Sequence, residues 1–188
     1  MLFHELPIRG AYIIEMERRG DERGFFARAY CQSEFAERGL RPAFVQANNS
    51  VSRDIGTLRG LHYQLGAFAE DKLIRCIHGE IFDVLVDLRP ESPTFLQHHT
   101  LTLSSVDKNA IYVPRGCANG IETLAPDTEL FYLVSNFYAP EAERGLRWND
   151  PRLGISWPRE PAIVSPKDAA HPDFDPAYHL DPSFGPFR

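Results

Sequence analysis

The chain has 188 residues, 43% hydrophobic and 24% charged, with a formal net charge of −6, which is enough apolar material for one packed domain, here spanning 1–188. It has neither a run of about 18 uncharged apolar residues nor a basic-then-apolar leader, so no membrane span and no signal peptide are expected, and the location expected is cytoplasmic. Three cysteines, Cys31, Cys76 and Cys117, do not read as a disulfide framework, and an acidic balance without a basic stripe excludes a nucleic-acid reader.

In chain order, the apolar run at 11–14 predicts a first strand. In DERGFFARAY (21–30) the Asp21–Arg23–Gly24 sequence predicts a turn. A strand follows with Phe25 and Phe26 on opposite faces, a pattern usual for core. Ser33 is placed to cap a short helix over 34–38 that Gly39 ends. From there the pattern is one of strands, at 58–64, 72–77, 81–88, 99–104, 110–114 and 129–138, each short and β-branched or aromatic between Gly, Pro, Asp and Asn. His78–Gly79 predicts a tight turn. Within 81–88, Phe82, Val84, Val86 and Leu88 share one face and Asp83 and Asp87 the other. Seven of the fifteen prolines fall after residue 157, which predicts an extended C-terminal segment wrapped around the rest and a loop-like tail at 176–188. Many short strands and few helices make this a mostly β chain, a sandwich or jelly-roll barrel.

The densest polar cluster, QANNSVSRDIGTLRGLHYQ (46–64), sets amides, Arg59, His62 and Gln64 on or beside one strand. Such groups are costly to bury without partners, and a ligand cavity would supply them. Strict alternation turns Arg59 away from His62 and Gln64 unless Gly60 forms a bulge. Tyr132, Val134, Asn136 and Tyr138 share a face of the 129–138 strand. A tyrosine there is either core or, beside a cavity, a proton donor, its ordinary pKa near 10 keeping it protonated. A metal site is not expected. The histidines form no HxH or HExxH pair, and the Pro114–Gly116 turn is followed by Asn119, a poor ligand. Only Lys72, Lys108 and Lys167 of the twenty basic residues are lysines.

DERGFF, QANNSVS, TLRGLHYQ, DKLIRCIHGEIFDVLVDLRPESPTF, YAPEAERGLRWNDPRLGISWP and SPKD stand in one order along the chain. Together they resemble the dTDP-4-dehydrorhamnose 3,5-epimerase family, over about residues 8–175. The resemblance implies a cupin-type jelly-roll barrel with a few short helices, working as a homodimer in which the partner supplies some nucleotide contacts. No metal or cofactor is implied. The implied substrate is a nucleotide-linked 4-keto-6-deoxyhexose, inverted at C3, C5 or both in deoxysugar biosynthesis. Carried over by motif, His62 is the catalytic base and Asp168 the carboxylate that orients it, with Asp83 as runner-up for that part. Tyr132 is the acid on the opposite sugar face, and Lys72 lies near the keto oxygen. Arg23 and Arg59 hold the diphosphate, Gln46, Asn48 and Gln64 line the pocket, and Phe26, Arg28, Asn119 and Tyr138 contact substrate.

These residue types suit the chemistry. Hydrogens on C3 and C5 are acidified by the C4 ketone, and a histidine of ordinary pKa near 6.5 removes one to give an enolate. A fixed cation stabilises the oxygen that becomes negative. Two positions depart from the family pattern: Asn119 stands where a histidine is usual, and Arg28 where a glutamate faces the base. Arginine only donates, so Arg28 suits an acceptor-rich base edge and raises the alternative of a mono-epimerase acting on a CDP- or GDP-linked sugar. A non-catalytic sugar-nucleotide-binding cupin and a metal-dependent cupin are the alternatives of other kinds.

Overall fold

The computed structural model describes residues 1–41 and 43–187. The strands are β1 (Leu2–Glu5), β2 (Tyr12–Glu15), β3 (Arg19–Asp21), β4 (Gly24–Phe26), β5 (Gln46–Ser52), β6 (Thr57–Gln64) and β7 (Lys72–His78) in the first half. They continue with β8 (Glu80–Asp87), β9 (His98–Ser104), β10 (Ala110–Val113), β11 (Cys117–Thr123), β12 (Thr128–Val134), β13 (Glu143–Gly145) and β14 (Ile163–Val164). Helices are short: α1 (Gln32–Ala36), α2 (Pro166–Ala169) and α3 (Pro176–His179). None is long and apolar enough to cross a membrane.

Two six-stranded sheets form the body. One runs β1-β2-β10-β7-β12-β5; the other runs β13-β6-β11-β8-β9, with β14 beside β6. The His78–Gly79 turn, with Gly79 at φ 78°, carries the chain from β7 in one sheet to β8 in the other. Between the sheets lies a core of Ile74, Cys76 and Leu130 from the first against Ile81, Leu85, Leu103 and Ile121 from the second. The outer faces are covered as well. Phe35 of α1, wholly buried, packs with Leu40, Ile14, Leu73 and Tyr112 over the first sheet. The C-terminal wrap brings Leu146, Leu153 and Phe174 onto Leu61, Val84, Val86 and Leu88 of the second. Two covered faces explain why β8 and β11 are buried on both sides. The family's jelly-roll barrel is thus the fold.

Four local expectations are corrected. The helix at 34–38 begins at Gln32, with Cys31 as its N-cap and no side-chain cap, so Ser33 lies inside it. Strand 129–138 ends at Val134. There Arg115 and Ser135 bond the buried Asp71 carboxylate, and the Ser135 amide turns to the Asp71 carbonyl. Phe25 and Phe26 are not core: they are 46% and 71% exposed, on a two-stranded β3–β4 hairpin that joins neither sheet. In the C-terminal tail, residues 176–187 also hold a short helix rather than loop alone. α3 closes on His179, wholly buried between Tyr63 and Phe174, its Nε2 3.1 Å from the Gly145 carbonyl.

Gly60 does form the bulge. β11 pairs Asn119 with His62 and Ile121 with Arg59, so two residues of β6 oppose the single Gly120. Gly60 has φ 119°, and a Cβ on it would lie 2.6 Å from the Gly120 Cα. The extra residue shifts the parity of the strand and turns Arg59 and His62 toward one side.

Candidate active site

Between the sheets, beyond the apolar core, opens a cavity of about 380 Å³. Its floor is apolar, from Leu58, Ile74, Ile121 and Leu130, and its polar walls are Ser50, Arg59, His62, Lys72, Asn119, Tyr132 and Asp168. A second opening of about 260 Å³ shares His62, Lys72 and Tyr132 and adds Gln46, Asn48, Gln64, Asn136 and Tyr138. The register explains why one wall is polar. Tyr132 sits directly opposite Ile74 on one side and Asn48 on the other, and Val134 opposite Lys72 and Gln46. Opposed residues share a face, so the row passes from core to polar lining along the strand.

The two sheets bring different chemistry. His62, from the second sheet, has its Nε2 2.6 Å from Asp168 Oδ1. Asp168 arrives on α2, whose N-cap Ser165 accepts its backbone N–H, while Oδ2 takes the Gly60 amide at 3.5 Å. Burial works to raise this carboxyl, but the bonds from His62, Ser165 and Gly60 hold it below the ordinary range. An ionised carboxylate only accepts, so the proton lies on His62 Nε2 and the other ring nitrogen keeps its lone pair. From the first sheet, Lys72 Nζ donates to the His62 carbonyl at 3.1 Å and lies 3.4 Å from Glu70. Tyr132 faces the same space; burial, aided by Glu70, raises its pKa despite Arg59, so its hydroxyl stays protonated. Arg59 stands exposed at the rim, braced by Ser52 Oγ and the Val51 carbonyl at 3.1 Å each.

Asp83 is not the histidine's partner. It lies behind Asn119, whose amide nitrogen donates to Asp83 Oδ1 at 2.9 Å and to the Val84 carbonyl at 3.1 Å. Both partners accept, so the Asn119 amide is fixed with its NH2 inward and its carbonyl oxygen as the group left for the cavity. Wholly buried, Asp83 is pushed up to about 7, against the pull of Asn119 and Lys72. Asp87, on the same strand face, goes the other way: Arg89, Ser92 and Thr94 outweigh its burial and hold it low.

Other sequence candidates separate into two groups. Gln46 and Asn48 line the second opening, and Gln46 Oε1 also accepts the Tyr138 amide at 3.0 Å. The Tyr138 hydroxyl donates to Glu143, which Lys167 holds at 2.7 Å. Gln64 lines the wall, yet its side chain is spent within the chain. It donates to Phe68, Glu70 and Phe137 and accepts from Ala139, clamping the loops around it. Arg23, Phe26 and Arg28 do not reach either opening of their own chain. They lie on or beside the exposed β3–β4 hairpin, Arg23 bound to Asp21 and Arg28 to Glu34.

The sequence reading missed His171, which stands 3.3 Å from the same Asp168 oxygen, three residues along the chain. Among the described residues, His62, Asp168 and His171 are the one group of metal-ligand type. They do not fit an ion as they stand. The 2.6 Å between His62 and Asp168 is a hydrogen-bond length, shorter than the roughly 3.3 Å between two ligands of a tetrahedral zinc with bonds of 2.0–2.1 Å. A proton fits there.

The chain is similar to known proteins over nearly its whole length. The family model described as dTDP-4-dehydrorhamnose 3,5-epimerase matches residues 5–176. The Salmonella typhimurium protein of that name is 44% identical over 179 residues, covering 94% of this chain and 97% of its own. The crystal structure of the Elizabethkingia anophelis protein of that name superposes with TM-score 0.89 at 41% identity, over 93% of this chain and 96% of that one. That of the Legionella pneumophila dTDP-6-deoxy-D-glucose-3,5-epimerase in complex with dTDP-4-keto-L-rhamnose gives 0.85 at 40%, over 90% of each. With its barrel and its motifs in one frame, the chain belongs to the dTDP-4-dehydrorhamnose 3,5-epimerase family.

Proposed function

We propose that the chain epimerises a nucleoside-diphosphate-linked 4-keto-6-deoxyhexose, dTDP-linked as in its relatives, with His62 as base and Tyr132 as acid. The observation that carries this reading is their placement. His62, backed by Asp168, comes from one sheet and Tyr132 and Lys72 from the other, and the cavity lies between them. Inversion asks for that arrangement: a proton leaves one face of the sugar ring and another arrives on the opposite face.

The steps follow from the groups present. The free nitrogen of His62 takes the proton from carbon next to the C4 ketone, and Asp168 stabilises the imidazolium. Electrons move onto the C4 oxygen, where the Lys72 ammonium meets the enolate charge in a partly dry site. Tyr132, held protonated by burial, delivers a proton to the far face. Arg59 at the rim is placed for the diphosphate. Arg23, Phe26 and Arg28 then act from a second copy, whose β3–β4 hairpin meets the nucleotide.

The test is solvent deuterium exchange followed by NMR on dTDP-, CDP- and GDP-linked 4-keto-6-deoxyhexoses. Label at C3 and C5 with the dTDP sugar is the expected result. Label at one carbon, or only with another nucleotide, gives the mono-epimerase or CDP/GDP alternative. His62→Ala abolishes exchange at both carbons if His62 is the base. Tyr132→Phe leaves part of the exchange and slows net inversion; equal loss of both counts against a two-face scheme.

A further inference from the structure

His171 lies outside both openings, yet it is built against the groups that form their chemistry. Its side chain is only 10% exposed, and its ring stands edge-on to His62, centroids 5.6 Å apart at 86°. Nε2 is buried, finds no aligned hydrogen-bond partner, and has Asp168 Oδ1 as its neighbour at 3.3 Å. That oxygen is the one His62 uses at 2.6 Å. β13 supplies the wall behind. A Cβ on Gly145 would come within 2.0–2.2 Å of three ring atoms of His171, so the ring fills the place a side chain would take. Gly145 is also the residue paired with His62 in the sheet.

We propose that His171 is a positioning residue that fixes the Asp168 carboxylate and, through it, the tilt and basicity of His62; this rests on the reading of His62 as the base. The Asp168 oxygen bonded by His62 has a second imidazole nitrogen packed 3.3 Å away, so it is confined from two sides and its charge faces both rings. The wall at Gly145 keeps His171 from retreating, and the edge-on contact keeps His62 from swinging toward it. The charged groups acting on His171 are His62 from β6 and Asp168 and Lys167 from α2; Glu143 of β13 acts on His62. Burial first, then the His62 charge, lowers the His171 pKa, which favours a neutral imidazole at 171. A neutral imidazole at 171, its polar edge against the same oxygen, therefore tempers the pull of Asp168 on the imidazolium.

The test replaces His171 with glutamine, which keeps a neutral polar group beside the carboxylate, and with leucine, which fills the space with an apolar one. Deuterium exchange into the 4-keto sugar is followed against pH, and thermal melts verify that both variants fold. His171→Leu should lower kcat on the order of tenfold with little change in KM and move the acidic limb of the kcat/KM profile upward. His171→Gln should keep most of the rate and the limb of the unaltered enzyme. If leucine performs as well as glutamine, or if both match the unaltered enzyme, His171 is only packing and the inference fails. If both variants lose through KM with the limb unmoved, it fails equally. His62→Ala, run alongside, separates the two readings: exchange persisting in that variant sinks the base assignment, whatever position 171 does.

Discussion

Replacing Asp83 with asparagine should change how the stability of this protein depends on pH. Asp83 is wholly buried, with one carboxylate oxygen on Asn119 and the other without a partner. Burial raises its pKa from the ordinary 3.8 to about 7. At about 1.4 kcal/mol per pKa unit, holding it ionised in place costs about 4 kcal/mol. The folded carboxyl binds its proton more tightly than the unfolded one. Its contribution is therefore complete below about pH 4 and is lost as pH rises through 7. Asparagine cannot ionise. Its amide at the unpartnered position costs about 1–3 kcal/mol at every pH, so the constant offset is uninformative and the slope is what matters. Urea unfolding of both proteins from pH 4 to pH 8 should show the variant gaining about 4 kcal/mol on the unaltered chain across that range. Parallel curves, differing by less than about 1 kcal/mol in slope over the whole range, would refute the claim that Asp83 is held protonated by burial.

Other groups give further tests. Asp168→Asn should fold normally and lose about 10³–10⁴ in exchange rate, because the amide no longer dictates which nitrogen of His62 carries the proton; a loss under tenfold would contradict that role. His179 accepts the Asp175 amide at Nδ1 and gives Nε2–H to the Gly145 carbonyl, and burial lowers its pKa. Its share of stability is thus present above about 6.5 and is lost as pH falls below that value. His179→Gln should flatten this acid loss in urea midpoints, and an unchanged profile would argue against it. Because Asp83 acts in the same window with the opposite sign, each effect is read as variant minus unaltered protein. Phe35→Ala should cost about 3–5 kcal/mol by denaturant unfolding, since its ring is wholly enclosed by Phe3, Tyr30, Phe44 and Tyr112.

Much of the barrel was legible because its strands are short, alternating and fenced by glycine, proline and asparagine. The Asp83/Asp87 side of β8 and the Tyr132 side of β12 were read correctly for that reason. The motifs likewise brought Asp168 to His62 across 106 residues of sequence, a pairing no local rule predicts. What escaped depends on tertiary surroundings. Nothing in GFF tells that β4 lies outside both sheets, so its phenylalanines read as core. Gln64 carries the signature of a ligand contact, and only the loops around it reveal that its amide is already used. His171 was visible as a histidine three residues past Asp168, just beyond the end of a short helix. Its relation to His62 depends on where that helix docks.

The wrap that covers the second sheet also delivers Asp168, while the histidine it bonds belongs to the sheet beneath. The His62–Asp168 pair is therefore split between a sheet and a strap laid over it. On the proposed mechanism, a change in the strap, as far out as α3 and its His179 anchor on Gly145, acts on the proton-transfer step and also on one wall of the cavity, which Ile163, Ser165 and Asp168 line. On that mechanism the strap couples proton affinity to the shape of the cavity, and a variation confined to the strap shows in both.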